Sequence, residues 1–228
     1  MLYTEENVRE NLRNRDGKRV FFLGSGDTLT SGARDFLNRE RIEIRNAREA
    51  AIETYQLLGG GFTHEKPEYM THLHGDVLVS KAHPRIAFRG IVDLLEAELL
   101  LCQSVLGEQE RRSVEEILAL TRTLIRCDVL NEPVPRGLLC GLTQEQIRKQ
   151  SHFPQDFYGQ PHFMPQFSDG PEILHLNRCR CVARQAELSA VVAFSDREGN
   201  PTRVDILQSL NRISSMLYIL MIQHKAKK

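Results

Sequence analysis

Four polar residues share one helical face in a largely apolar segment. Asn177, Arg180, Arg184 and Glu187 are separated by three, four and three residues, so they lie on one side of a helix. Two arginines one turn apart repel each other unless an anion lies over them. Guanidinium groups donate parallel N–H bonds to phosphate oxygens, so the face predicts phosphate binding. An intrahelical ladder of ion pairs would give the same pattern and stays open.

A second polar stripe follows Pro84. Arg85, Arg89, Asp93 and Glu96 are spaced by four, four and three residues, which again predicts one narrow helical face. The flanking residues are mostly Leu, Ile and Val, which indicates a largely buried helix. A solvated face is the ordinary interpretation of such a stripe and stays open, whereas the narrow stripe and its apolar flanks point to a functional role.

The last apolar segment carries Gln208, Asn211 and Ser215 on one side, with Arg212 beside them. A buried Asn needs a hydrogen-bond partner. The pattern therefore predicts either a ligand contact or a polar contact between two helices.

A turn-rich segment, residues 64–81, contains Lys66, Thr71, His72 and Lys81. A flexible loop with such side chains is suited to wrap a polyphosphate and to help place its magnesium ion. The P-loop pattern G-x-x-x-x-G-K-[ST] is absent.

Two weaker patterns remain. His64, His72 and His74 could form a metal site, but the segment offers neither a cysteine nor a paired acid. Gly24–Asp27 resembles a phosphate loop but lacks the third glycine, which favours a turn.

Helix signals place the three stripes on long helices. Pro84 begins a helix to about Leu106, and a capping box at Ser113–Glu116 begins one that ends before Pro133. A second box at Thr143–Gln146 begins a short helix, Pro171 begins one to about Phe194, and Thr202–Asp205 begins the last. Helices joined by loops predict a helical bundle.

The first sixty residues differ from the rest. Arg19–Leu23, Thr30–Leu37 and the alternating residues around Ile44 predict a strand, a helix and a strand. Ala47–Leu58 is predicted to be helical, and Gly59–Gly61 ends it. We expect a small α/β appendage at 1–60 and a helical domain at 61–228.

The composition excludes some classes. Thirty basic and thirty acidic residues give a net charge of zero, which disfavours nucleic-acid binding. The sequence contains no run of eighteen apolar residues, so it predicts no membrane span. Five cysteines without a C-x-x-C pair favour reduced thiols and a cytoplasmic location.

The three stripes together resemble one family, the corrinoid adenosyltransferases. Its ATP-binding loop, first helix, R-x-x-x-R-x-x-E helix and N-R-L-S segment are matched in the same order. The matching stretches are Thr71-His-Leu73, Val79-Ser-Lys81, His83-Pro-Arg-Ile-Ala-Phe-Arg-Gly-Ile-Val-Asp93, Ser168–Glu187 and Leu210-Asn-Arg-Ile-Ser-Ser215.

The ethanolamine-utilisation branch of that family is the most similar. The similarity lies in Leu29–Arg34, Lys66–Leu73 and Asp205–Ser215. Many members of the branch have a His- and Cys-rich metal motif before the K-P segment, where this chain has only His64. We therefore expect no structural transition metal. Ser215 replaces the Asp that ends the N-R-L-S segment in related families.

The resemblance implies a mainly α fold, an up-and-down bundle of about five helices. It implies a homo-oligomer, a trimer or a dimer, whose active sites lie between subunits. ATP with Mg²⁺ and reduced cobalamin would be converted to adenosylcobalamin and triphosphate. A reductase partner is a further expectation. The protein is expected in the cytoplasm, either free or associated with a bacterial microcompartment.

The resemblance also implies roles for individual residues. ATP binding is expected at Lys66, Thr71, His72, Lys81, Arg180, Arg184, Glu187 and Asn211. The catalytic set is Arg180, Arg184, Glu187 and Asp93, with Asp93 paired to Arg180 of a neighbouring subunit. Cobalamin binding is expected at Phe163, Arg89 and Asp93.

Phe163 has a specific expected role. Cobalt(II) is difficult to reduce while an axial ligand donates to it, so an apolar wedge that excludes this ligand eases reduction. Phe163 resembles the family's wedge, and the aromatic residues Phe153, Phe157, Tyr158 and Phe167 around it are expected mostly to pack.

Two other functions remain as alternatives. A phosphoryl-transfer enzyme would use the same basic cluster but needs a positioned base, of which the sequence shows no sign. A non-catalytic carrier or assembly protein for cobalamin and ATP would bind both ligands without turnover.

Overall fold

The computed structural model describes residues 1–15, 18–47 and 54–227. The protein is mainly helical with small sheets. It divides into two compact units, Met1–His83 and Pro84–Lys228. Along the sequence, the boundary between the two units falls at the start of the first long helix, whereas the predicted domain boundary lies at residue 60. The division into domains 1–60 and 61–228 stays a prediction.

The first unit opens with short elements and continues into a β-α-β crossover. These elements are β1 (Leu2–Tyr3), α1 (Glu5–Glu10), β2 (Arg13–Arg15), β3 (Lys18–Leu23), β4 (Thr28–Leu29), α2 (Ser31–Arg39) and β5 (Glu43–Asn46). β3 and β5 are parallel, with Phe21 opposite Ile44, and α2 connects them. Phe21 packs with Phe36 and Leu37 of α2. The predicted strand, helix and strand are therefore present.

A four-stranded sheet follows in the same unit. Its strands are β6 (Tyr55–Leu57), β7 (Phe62–Thr63), β8 (Met70–His74) and β9 (Val77–Ser80), in the order β7-β6-β9-β8. The helix predicted over 47–58 is wrong at Tyr55–Leu57, which pair with β7 and β9, and residues 48–53 lie outside the described part. The loop predicted at 64–81 contains the β8–β9 hairpin, because Leu73 and Val77–Val79 bury their side chains in this sheet.

The second unit consists of helices. They are α3 (Pro84–Gln103), α4 (Glu108–Leu130), α5 (Gln144–His152), α6 (Pro154–Tyr158), α7 (Pro171–Ala193) and α8 (Val204–Ala226), with a short 3-10 helix at Phe167–Asp169. α7 packs between α3 and α8, α4 packs against α3, and α5 packs against α8. In the part of the chain described, no helix has the length and apolar character needed to cross a membrane.

The helix starts test the predicted caps. Thr143 and Gln146 form the predicted reciprocal capping box of α5. The box predicted at Ser113 is wrong: α4 begins at Glu108, and the Ser113 hydroxyl donates to a carbonyl of its own helix. The cap predicted at Thr202 is also wrong, since its hydroxyl donates to the Phe194 carbonyl and α8 starts after Arg203.

The core of the bundle is apolar, and α7 contributes small residues to it. Ala183, Ala186 and Ala190 are each 0% exposed on its buried side. Alanine has almost no side chain, so the neighbouring helices can approach α7 closely. α7 and α8 therefore lie close enough for polar side chains at their contact to reach each other.

Candidate functional site

The arginine stripe on α7 is open. Arg180 donates from Nε and Nη2 to Oδ1 of Asn177 at 3.1 and 2.8 Å. Arg184, one turn later, is exposed and has no hydrogen-bond or ion-pair partner among the described residues. Because Asn177 is neutral, neither guanidinium has its charge offset by a contacting carboxylate in the described chain. This face is suited to bind an anion, and it forms no ladder of ion pairs within the described residues.

Glu187 joins α7 to α8. Its Oε1 accepts a hydrogen bond from Nδ2 of Asn211 at 2.9 Å, and both side chains are half-buried. Glu187 lies three positions after Arg184 on the same face, but its hydrogen-bonded partner is Asn211. A carboxylate offers about four acceptor sites. Glu187 therefore keeps acceptors for a further donor such as a hydroxyl.

Most side chains of the polar stripe on α3 form ion pairs with residues of α4. Asp128, which is 0% exposed, accepts from Nε of Arg85 at 2.8 Å and from Nε of Arg89 at 2.7 Å. Glu96 accepts two bonds from Arg122, also on α4. These pairs attach the two helices, so three of the four residues in the stripe have a structural role. The predicted contact of Arg89 with a corrinoid stays a prediction.

Asp93 is the exception in this stripe. It is exposed, and among the described residues it has no ionic or hydrogen-bond partner. The other polar residues of the stripe pair with α4, whereas the exposed carboxylate of Asp93 is available to a residue or ligand from outside the subunit.

The predicted polyphosphate residues lie on and around the β8–β9 hairpin of the first unit. Thr71 pairs with Val79 and His72 with Leu78, while the Lys81 amide donates to the Tyr69 carbonyl at 2.8 Å. The hairpin gives these residues a fixed register instead of the flexible loop that was expected. Lys66 is near enough to influence the titration of His72.

His72 is a neutral group at physiological pH. Burial, followed by the positive charge of Lys66, lowers the pKa of its imidazole below the ordinary value. Nδ1 lies 3.0 Å from the Gly75 carbonyl oxygen. A carbonyl only accepts, so Nδ1 carries the proton. The lowered pKa makes His72 a poor group to neutralise a phosphate at neutral pH.

The aromatic segment before α7 is divided between packed and exposed rings. Phe163 is half-buried against the core, and Nζ of Lys225 lies 5.6 Å from its ring centroid. Lys225 also forms an ion pair with buried Asp169. Phe153 and Phe167 are 57% and 92% exposed. Phe163 is thus held beside a cation, whereas Phe167 is free of packing.

The cysteines provide no activated nucleophile in the interior. All five are free thiols. Burial raises the pKa of Cys140 to about 12, and a hydrogen bond with Cys102 together with burial raises that of Cys179. These thiols remain protonated at neutral pH. Within the residues described, no group of three or more His, Cys, Asp or Glu side chains could hold a metal ion.

Comparison with known proteins places these residues in a family. The sequence model of the cobalamin adenosyltransferases matches residues 62–224. The chain belongs to this family. The match includes Arg180 and Arg184 of α7, Asp93, Asn211 and the β8–β9 hairpin.

Named relatives of this adenosyltransferase agree. The corrinoid adenosyltransferase EutT of Salmonella typhimurium LT2 is 33% identical over 247 residues, which is 98% of this chain and 92% of that protein. EutT of Escherichia coli K12 is 33% identical over 164 residues, 72% of this chain and 61% of that protein.

Solved structures with similarity to the adenosyltransferase include two variants of one enzyme. A PduO-type ATP:corrinoid adenosyltransferase from Lactobacillus reuteri complexed with cobalamin and ATP is 19% identical, with a TM-score of 0.48, over 79% of this chain and 93% of that one. A variant complexed with ATP is 18% identical, with a TM-score of 0.48, over 80% and 95%.

Sequence reasoning missed the partners of two expected site residues. Asp128 binds Arg89, but it lies 39 positions away and on another helix. Lys225, near the end of α8, contacts the ring of Phe163. Both contacts depend on how helices of the adenosyltransferase lie against each other. The single signal in the sequence was an acid, Asp128, in an otherwise apolar turn of α4.

Proposed function

We propose that this chain transfers the adenosyl group of ATP to the cobalt of reduced cobalamin. It is an ATP-dependent corrinoid adenosyltransferase, and its similarity to EutT fits a role in ethanolamine utilisation. The observation that carries the assignment is the family match, which contains the open arginine face of α7 and the Glu187–Asn211 contact.

The proposed reaction needs alignment more than acid–base chemistry. Cobalt(I) attacks the ribose C5′, a cobalt–carbon bond forms, and the C5′–oxygen bond breaks. The electron pair of that bond leaves with triphosphate, and cobalt is formally oxidised to cobalt(III). Cobalt is the nucleophile, so the enzyme has to hold C5′ in line and stabilise the departing anion. This agrees with the raised pKa values of Cys140 and Cys179, whose thiols stay protonated at neutral pH.

Arg180 and Arg184 are proposed to bind the triphosphate. Their charges are one turn apart and have no acidic contact among the described residues, so a polyphosphate relieves their repulsion. Glu187 and Asn211 form a donor–acceptor pair beside them, which is suited to the ribose hydroxyls or the adenine. A magnesium ion on the triphosphate would reduce its charge further.

The β8–β9 hairpin is proposed to supply the remaining ATP contacts. Lys66 and Lys81 bring positive charge and Thr71 a hydroxyl. The pKa of His72 is lowered, so we propose that it contacts the nucleotide without neutralising a phosphate.

The corrinoid is proposed to lie near Phe163 and Asp93. Phe163 would exclude the axial ligand of cobalt(II), and its half-buried ring offers the required apolar surface. Arg89 is proposed to support this region from α3, where Asp128 holds its Nε.

A homo-oligomer, a trimer or a dimer, is proposed to complete the site. Leu94 and Leu101 of α3 are 36% and 56% exposed, and Leu188 and Val192 of α7 are 69% and 68% exposed. α3 and α7 pack together, so these apolar side chains lie on neighbouring helices. A partner subunit would cover them and bring its Arg180 to the exposed Asp93. Within one subunit, the four long helices with α5 are proposed as an up-and-down five-helix bundle.

Anaerobic turnover tests the function. The protein is incubated with ATP, magnesium and chemically reduced cobalamin, and absorbance reports the new cobalt–carbon bond. Transfer of adenosyl releases triphosphate, whereas a phosphoryl-transfer enzyme releases ADP. Binding of both ligands with no absorbance change under strong reductant would instead support a carrier. We also propose a reductase partner and association with a microcompartment. Pull-down of this protein from cells grown on ethanolamine tests both.

A further inference from the structure

The stretch of chain that carries Phe163 has almost no regular structure of its own. From Gly159 to Gln166, all of it described, the backbone forms neither a helix nor a strand, and a short 3-10 helix at Phe167–Asp169 follows. The hydrogen bonds of a helix or a sheet therefore do not fix the position of Phe163. Its place depends on the side chains that attach this stretch, here called the wedge segment (residues 159–169), to the neighbouring helices.

One attachment of the wedge segment lies directly before Phe163. The ring of His162 stacks on the ring of Tyr218 in α8, with the two centroids 5.7 Å apart. Nε2 of His162 lies 3.1 Å from the His152 carbonyl oxygen, and Nδ1 lies 2.9 Å from the Tyr218 hydroxyl. A carbonyl only accepts, so Nε2 donates to it, and the neutral ring accepts from the hydroxyl at Nδ1. These contacts hold the residue that precedes Phe163.

A second attachment lies after Phe163. Lys225 of α8 forms an ion pair with Oδ1 of Asp169, a residue that is only 5% exposed. The other carboxylate oxygen of Asp169, Oδ2, accepts from the Gln166 backbone amide at 2.7 Å. The ion pair and the hydrogen bond share one carboxylate, so the charge of Lys225 holds a turn of the wedge segment in place. Removing one partner of a buried ion pair is costly.

Lys225 also contacts the ring of Phe163 itself. Its Nζ lies 5.6 Å from the ring centroid, within the range of a cation–π contact. The ring is half-buried and packs against the core of the bundle. Tyr218 and Lys225 are seven positions apart, about two helical turns, so they lie on one side of α8. That side of α8 therefore holds the wedge segment both before and after Phe163.

We infer that Lys225 is a positioning residue for the reduction of cobalt(II). Through Asp169 and through the ring face, it holds Phe163 in the orientation in which the ring excludes the axial ligand. Once that ligand has left with its electron pair, a reduced flavin gives one electron to cobalt(II), and cobalt(I) forms. The inference rests on the proposed function and, within it, on the role of Phe163.

Lys225→Met tests the inference, because it removes the charge and keeps most of the length of the side chain. The full chain is given ATP, magnesium and cobalt(II) cobalamin, and electron paramagnetic resonance measures the fraction of cobalt(II) that has no axial ligand. That fraction should fall about threefold or more, as expected for two residues in direct contact. Turnover with a reduced flavin should fall about fivefold or more, whereas turnover from chemically prepared cobalt(I) should stay within about twofold of the parent.

Lys227→Met is the matched control. Lys227 lies two positions later at the same end of α8, but it pairs with Glu110 of α4 at 2.9 Å. This variant loses the same charge from the same helix end and should equal the parent in all three measurements. If Lys225→Met does not fold, Asp169→Asn breaks the same ion pair from the other side and should give the same pattern.

A double variant links the lysine to the ring. Phe163→Ala combined with Lys225→Met should match Phe163→Ala alone within about twofold in the flavin assay, because the lysine then has no ring to position. Additive losses, equal losses from cobalt(I) and cobalt(II), or an unchanged fraction of cobalt(II) without an axial ligand would overturn the inference.

Hydrogen exchange separates this inference from the proposed function. In the protein without ATP and cobalamin, the Gln166 amide should exchange about threefold faster or more in Lys225→Met than in the parent or Lys227→Met. Unchanged exchange would overturn the positioning contact. A parent protein that forms no adenosylcobalamin even from cobalt(I) would refute the proposed function. Faster exchange in that case would confirm the contact and overturn only its role in reduction.

Discussion

Arg184→Ala should abolish most turnover and leave the fold intact. Arg184 is exposed and makes no ion pair or hydrogen bond within the described chain, so its removal deletes no observed native contact. Exposed substitutions of this kind change stability by about 0.5 kcal/mol or less. Alanine is also the best helix former, so α7 is not weakened.

The expected loss of activity is far larger. In the proposed reaction Arg184 donates charge-assisted bonds to the leaving triphosphate. Removing one such preorganised donor costs about 2–4 kcal/mol in the transition state. At about 1.36 kcal/mol for each factor of ten, kcat should fall by about 30- to 1,000-fold.

The assay uses cobalt(I) prepared chemically, saturating ATP and strict exclusion of oxygen, with urea unfolding in parallel. Arg178→Ala is the matched control, because Arg178 lies on the same helix, is exposed and pairs with Glu98 at 3.1 Å. An exposed pair contributes about 1 kcal/mol at most, so this variant should keep turnover within about twofold. A kcat for Arg184→Ala within threefold of the parent, or an equal loss in Arg178→Ala, would refute the assignment.

Four other outcomes are expected. The Arg203 side chain, with the Val134 amide, lowers the pKa of Asp205 from 3.8 to about 2, so Asp205→Asn should lose about 2 kcal/mol of stability at pH 7. Urea titrations should show this difference in the free energy of unfolding to be constant above pH 4 and to vanish as the pH falls through 2. A difference that does not change with pH would contradict the prediction. Asp128→Asn should cost about 3 kcal/mol by the same measurement, since it leaves Arg85 and Arg89 without their buried acid; a change below 1 kcal/mol would show the pairs to be dispensable. Phe163→Ala should slow adenosylation from cobalt(II) with a biological reductant much more than from preformed cobalt(I), and equal losses would assign Phe163 to pocket shape. Mild chelation followed by magnesium alone should restore full turnover, and a requirement for zinc or iron would disprove this.

Local signals predicted the long helices and the strands β3 and β5, but they missed the strands β6, β8 and β9. Pro84 and Pro171 mark helix starts whose reason is local, because proline needs no N–H partner in a first turn. The Ser113 box failed since Gly107 and the acidic first turn at Glu108 start α4 earlier. Gln56 and Leu57 lie in a strand because they pair with Val77 and Leu78 of β9. These partners are distant in the sequence, and no local pattern contains them.

The candidate site divides in the same way. The α7 stripe could be predicted because helical spacing alone places Arg180 and Arg184 on one face. The state of Arg89 could not, since it depends on which turn of α4 brings Asp128 opposite α3. The lowered pKa of His72 likewise depends on its burial in the hairpin and on the nearby charge of Lys66.

The three alanines on the buried side of α7 make the site sensitive to added volume. Ala183, Ala186 and Ala190 have no exposed surface, so a larger side chain at any of them has to push a neighbouring helix outward. Glu187 lies one residue from Ala186, and its bond to Asn211 spans 2.9 Å. A shift of one ångström breaks that bond. Larger side chains at these three alanines should therefore disrupt the Glu187–Asn211 contact, although the alanines themselves make no polar contact.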